Sequence, residues 1–219
     1  MEKTRVLQFV VWFATVLLSK CVKLSLALGS YAVGLSGITV TLPLMGSMMS
    51  LTSAGIVAGA IGTVCALFTG LPLTFGLPSL AATLSWACSS SSQRSHRIMN
   101  FILHCLLPLI CMTIFMTHPI GSQAWYYALY WLIPVAIWLS SLEHVFMRAL
   151  QSTFVAHALG GTMWLITGSL TASQWSALVP VVAFERFMIA GLSTCVWYGI
   201  RFAAQKLSRP VIRAEQRAA

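Results

Sequence analysis

Residues 154–168 read FVAHALGGTMWLITG. The run is apolar and continuous, with no alternation at every second residue, so it reads as a helix rather than a half-buried strand. It holds one ionisable side chain, His157, followed by Gly160 and Gly161. The rest of the chain has the same character. Of 219 residues, 58% are hydrophobic and 8% charged, with a mean hydropathy of +0.85. Soluble domains carry about 25% charged residues. So much apolar surface does not fit inside one small core. It implies a polytopic membrane protein, and the long apolar runs make it an all-α helical bundle rather than a barrel.

The net charge is +9. Most cations fall in three clusters outside the apolar runs: Lys3/Arg5, Arg94/Arg97 and Lys206/Arg209/Arg213/Arg217. That is the distribution of the positive-inside rule, not of a folded nucleic-acid surface. All three then lie on the cytoplasmic side of a bacterial inner membrane, with both termini. The N-terminal apolar run lacks a clear small-residue cleavage site and reads as a retained first helix. The six cysteines are scattered without a CxxC pair, so neither a disulfide framework nor a zinc site is expected, and no cofactor.

A span needs about 20 apolar residues. Residues 6–28, 47–69, 98–117, 124–141, 153–168 and 178–203 supply candidates. Residues 29–46 read as a poor helix or partly unwound loop. Gly70, Pro72, Gly76 and Pro78 break the chain at 70–79, and 80–87 reads as a short re-entrant or tilted leg. Parity of the basic clusters requires an even number of crossings. Six spans with broken or re-entrant pieces in 29–87 satisfy it, and eight shorter spans satisfy it too. The chain reads as one integral membrane domain: an N-terminal half (1–87), a serine-rich cytoplasmic loop (88–97), a C-terminal half (98–205) and a basic tail (206–219).

Ionisable residues inside a membrane are costly and mark functional sites. His157, Glu185 and Arg186 are the deep ones. Neighbours on a helix point about 100° apart, so Glu185 and Arg186 are expected to find separate partners. A short turn joins the helices of His157 and Glu185, so His157, Trp164 and Glu185 are expected to line one outward cavity. Arg186 joins this candidate solute site. So do Gly160 and Gly161, expected to let the Glu185 helix come close. Glu143, His144, Arg148 and Gln151 form a second polar group near the cytoplasmic side, suited to an inner gate or a partner contact. Haem would need a second histidine at matching depth, and His104 is the residue available, with nothing fixing the pair.

GLSG at 34–37 matches the GxSG of rhomboid intramembrane proteases, and AHALGG at 156–161 is similar to their histidine helix. A Ser36–His157 dyad would make the chain an intramembrane hydrolase. Here, however, GxSG follows a single span rather than several, and no HxxxN stretch accompanies it. A non-catalytic assembly subunit is the remaining alternative.

Residues 38–76 read ITVTLPLMGSMMSLTSAGIVAGAIGTVCALFTGLPLTFG. Pro43, the small-residue helix with Gly55, Gly59 and Gly62, and Gly70-Leu71-Pro72 resemble the S components of energy-coupling-factor vitamin transporters, the biotin-uptake type in particular. The resemblance implies a small helical protein that captures a vitamin-like solute from outside. It also implies a coupling transmembrane subunit and ATPases as partners. The chain has no GxxxxGK[ST] loop, so it is not itself the motor.

Overall fold

The computed structural model describes residues 23–28, 31–47, 53–60, 76–89, 94–140, 142–168 and 170–218. Helix predominates. The expected first span is only partly within these residues, and its last part is not helical. β1 (Lys23–Leu28) pairs antiparallel with β2 (Tyr31–Ser36), Lys23 opposite Ser36 and Leu28 opposite Tyr31. KLSLAL alternates apolar and small or polar residues, and Gly29-Ser30 is a two-residue hairpin signal. The protein is helical as expected, and this hairpin, set by that local pattern, is a local exception. The Lys3/Arg5 cluster, most of the 47–69 span including Gly62, and the Gly70-Leu71-Pro72 turn lie outside the described residues.

After β2 come a short helix, α1 (Gly37–Thr41), and a 3₁₀ turn (Pro43–Ser47). Gly46 lets this turn lie on a neighbouring backbone, because a Cβ there would collide with the carbonyl of Thr83. Residues 53–60 form α2. α3 (Leu77–Ser89) has 13 residues, about 20 Å at 1.5 Å per residue, short of the roughly 30 Å hydrocarbon core. Its Ala81, Ala82, Trp86 and Ala87 are buried inside the bundle. α3 continues to Ser89 and α4 (Arg94–Phe101) starts at Arg94, so helix claims most of the loop expected at 88–97.

α4 passes through a π turn (Ile102–Leu106) into α5 (Leu107–Thr117). The turn widens just before Pro108, which has no N–H for the carbonyl four residues back. A 3₁₀ segment (Gly121–Trp131), bent at Ala124, leads into α6 (Leu132–Ser140). α7 (Val145–Thr167) absorbs most of the polar 141–152 stretch into one 23-residue helix. α8 runs from Ala172 to Ala218, 47 residues. The helix therefore begins before the expected 178, which places Pro180 in its interior, and it continues through the basic tail, whose Ala, Gln, Lys and Arg are good helix formers.

By length and composition, two helices among the described residues can cross a membrane: His96–Thr117, mean hydropathy 2.1, and Ala172–Ala203, mean hydropathy 1.5. α3 packs along α7, and α7 along α8. Ser152 donates to the carbonyl of Ala82 (2.9 Å), tying α7 to α3, and Ser193 donates to the carbonyl of Val40 (2.9 Å), tying α8 to α1. One apolar cluster centres on Phe115, Tyr127, Trp131 and Trp175, another on Leu44, Trp86, Leu150 and Phe154.

Candidate functional site

A cavity of about 510 Å³ lies between α7 and α8, with α1, the Pro43 turn, α3 and Tyr127 completing its wall. α7 contributes Ala149, Ser152, Thr153, Ala156, His157, Gly160 and Trp164. Steps of three and four put these on one helix face. Most are small, which is why two helices in contact still enclose a void. α8 contributes Trp175, Leu178, Val182, Glu185, Arg186, Ile189 and Ser193 at the same spacing.

All six residues expected at the solute site, His157, Gly160, Gly161, Trp164, Glu185 and Arg186, border this cavity. Two details differ from expectation. Glu185 and Arg186 pair with each other, Arg186 Nη2 lying 2.8 Å from Glu185 Oε2, with side chains 16% and 21% exposed. Their Cα–Cβ bonds diverge, but both arms are long enough to curl round the helix until the charged tips meet. The glycines, in turn, do not accommodate α8. A Cβ on Gly160 would rest on Pro78 Cγ at 3.5 Å, and one on Gly161 would press on Trp131 Cζ2 at 3.0 Å. They admit the start of α3 and an indole from the 3₁₀ segment.

Arg186 Nη1 also donates to Thr153 Oγ1 at 3.2 Å, linking α8 to α7. Its Nε is buried without a hydrogen-bond partner among the described residues. Also on the cavity wall, the Tyr127 hydroxyl and His157 Nε2 are 3.0 Å apart. The Tyr127 ring packs on Trp175 (centroids 4.8 Å apart) and His157 (5.5 Å), and Phe115 stacks behind it at 5.5 Å. Trp164, also on the cavity wall, is 52% exposed. Trp86 lines the far wall.

Comparison with protein-family models, curated proteins and solved structures finds no match.

Sequence reasoning passed over Tyr127. By composition WYYALYW at 125–131 reads as an interfacial aromatic belt. The signal lay in spacing: a 3₁₀ segment has three residues per turn, so Tyr127 and Tyr130 share an inward face. Tyr130 reaches α8, donating to the carbonyl of Val179 at 2.9 Å.

The second polar group is dispersed. Arg148 meets Glu143 at 3.7 Å, with Glu143 84% exposed. His144 is exposed at the start of α7 and makes no side-chain cap. Gln151 turns inward and donates to the carbonyl of Pro134 at 3.0 Å. None of the four lines the cavity. Ser36 ends β2 and its side chain lies outside the described residues, while Nε2 of His157 is taken by Tyr127. His104 is buried on the π turn, with Nε2 2.6 Å from Ser85 Oγ and Nδ1 against Asn100 Oδ1, so both ring nitrogens are occupied by side chains.

Proposed function

We propose that this chain is a multi-pass inner-membrane protein of six spans, with both termini cytoplasmic, that binds a small organic solute for uptake. The observation that carries the reading is the cavity itself. It has aromatic and aliphatic walls, one ion pair and one tyrosine–histidine pair, the composition of a solute pocket: mostly apolar with a few convergent polar anchors. Transport sites sit between helices, beside short or broken ones, and α3 and the Pro43 turn supply these here.

A bilayer setting is supported by the outer surface. The apolar windows of the two candidate spans are only 28% and 22% buried inside the protein. Ile98, Leu139, Ile166 and Phe202 are each more than 60% exposed. Apolar side chains so distributed suit lipid rather than water. In this reading the chain has no motor of its own. A coupling membrane subunit and ATPases are the proposed partners, as the S-component resemblance implies.

Purified protein is to be screened for thermal stabilisation by a panel of small organic solutes, vitamins included. Stabilisation by at least one member supports the reading, and none by any member contradicts it. In cells, Glu185→Ala is expected to abolish uptake of the solute so found while leaving expression intact. Loss of expression instead assigns Glu185 to packing.

A further inference from the structure

The polar side of the cavity specifies its ligand more narrowly. Among the described residues that line the cavity, Glu185 and Arg186 are the only Asp, Glu, Lys or Arg side chains. They neutralise each other at 2.8 Å. A solute with a net charge would enter a charge-balanced, mostly apolar site and leave one charge uncompensated, a costly arrangement away from water. An anion would face Glu185 and a cation would face Arg186.

The pair nevertheless keeps unused hydrogen-bonding capacity. Arg186 has five N–H donors, and its contacts to Thr153 Oγ1 and Glu185 Oε2 use one each. The Arg186 side chain borders the cavity and is 16% exposed, so its remaining Nη N–H groups can meet an acceptor there. The Glu185 carboxylate can accept several hydrogen bonds, and the arginine contact uses one. The site therefore offers a donor and an acceptor side by side on adjacent residues. Trp86, Tyr127, Trp164 and Trp175 add aromatic surfaces to the same wall, which favour a flat ring.

We propose that the cavity takes a flat ring compound without net charge, carrying a hydrogen-bond donor beside an acceptor, that is, a cyclic amide. The C=O accepts from Arg186 and the adjacent N–H donates to Glu185. This rests on the solute-binding reading above and adds the chemical class.

The test is calorimetric titration of the full chain, reconstituted in lipid nanodiscs at neutral pH, with four compact ring probes. Hypoxanthine is a neutral cyclic amide. Indole-3-carboxylate is an anion, tryptamine a cation, and indole is flat and neutral but lacks the acceptor. Hypoxanthine is expected to bind at least about tenfold more tightly than each of the others, the discrimination that one hydrogen bond left unmade at a buried site supplies. Glu185→Gln, which keeps the size and removes the charge, is expected to reverse the order in favour of indole-3-carboxylate. Equal or tighter binding of the anion, the cation or indole to the unmodified protein overturns the assignment while leaving the cavity a solute site. Binding of none of the four also overturns it, and the wider solute panel then decides the solute-binding reading separately. The series on the unmodified protein is decisive even if the variant fails to fold.

Discussion

Gly160 and Gly161 are neighbours in one helix and should respond oppositely to the same substitution. Each glycine-to-alanine change in a helix interior gains about 1 kcal/mol in propensity. At Gly160 the new Cβ would lie 3.5 Å from Pro78 Cγ, an ordinary van der Waals contact. Gly160→Ala should therefore stabilise the protein by about 0.5–1 kcal/mol. At Gly161 the new Cβ would lie 3.0 Å from Trp131 Cζ2. Trp131 is fully buried, edge-on to Phe115 at 5.3 Å and flanked by Tyr127 at 6.3 Å, so its indole has no room to retreat. Overpacking of this kind costs about 1–3 kcal/mol, which exceeds the propensity gain. Gly161→Ala should be destabilised by about 1 kcal/mol net, some 2 kcal/mol below Gly160→Ala. For a chain of this size that separates the midpoints by about 4–8 °C. The assay is thermal unfolding of both variants in one detergent at one scan rate, because apparent midpoints of irreversible transitions depend on scan rate. Equal midpoints, or Gly161→Ala the more stable, would refute the placement of Trp131. Had both glycines served only to admit α8, the two alanines would be expected to behave alike.

Thr153→Val removes the acceptor of Arg186 Nη1 and should cost about 1–2 kcal/mol of stability, read as a lower unfolding midpoint; an unchanged midpoint would show that the contact carries nothing. Tyr127→Phe keeps the ring packing and deletes the hydroxyl that meets His157, so it should weaken affinity for a solute found in the screen several-fold while shifting the midpoint by less than Thr153→Val does. Ser85→Ala strands Nε2 of the fully buried His104 and should cost about 1–3 kcal/mol. A double variant with His104→Leu should recover part of that loss, because pairing, not burial, is what the imidazole then lacks.

The helices of the C-terminal half were legible because their apolar runs are long and their breaks are marked. HPIGSQ at 118–123 and the turn after Thr167 both appear close to where composition puts them. The short turn before Ala172 also made α7 and α8 antiparallel neighbours, and so placed His157 and Glu185 on facing helices. What composition does not carry is the identity of a third neighbour. Pro78 and Trp131 meet Gly160 and Gly161 from segments distant in sequence, and no local pattern announces such contacts. The Glu185–Arg186 pair was missed because the 100° rule governs Cβ directions and not the reach of long side chains. The β1–β2 hairpin was missed because its alternating leucines sit at the end of an apolar run long enough to be taken for a span.

Solute binding, as proposed, depends on the cavity between α7 and α8. Ala156 lines it midway along α7, where a bulky side chain would fill the void. The direct measurement is equilibrium binding of a solute identified by the screen to the unmodified protein and to Ala156→Trp. The account predicts saturable binding to the first and none to the second, with both retaining a cooperative thermal transition. Undiminished binding to a folded Ala156→Trp protein would place the solute elsewhere and contradict it.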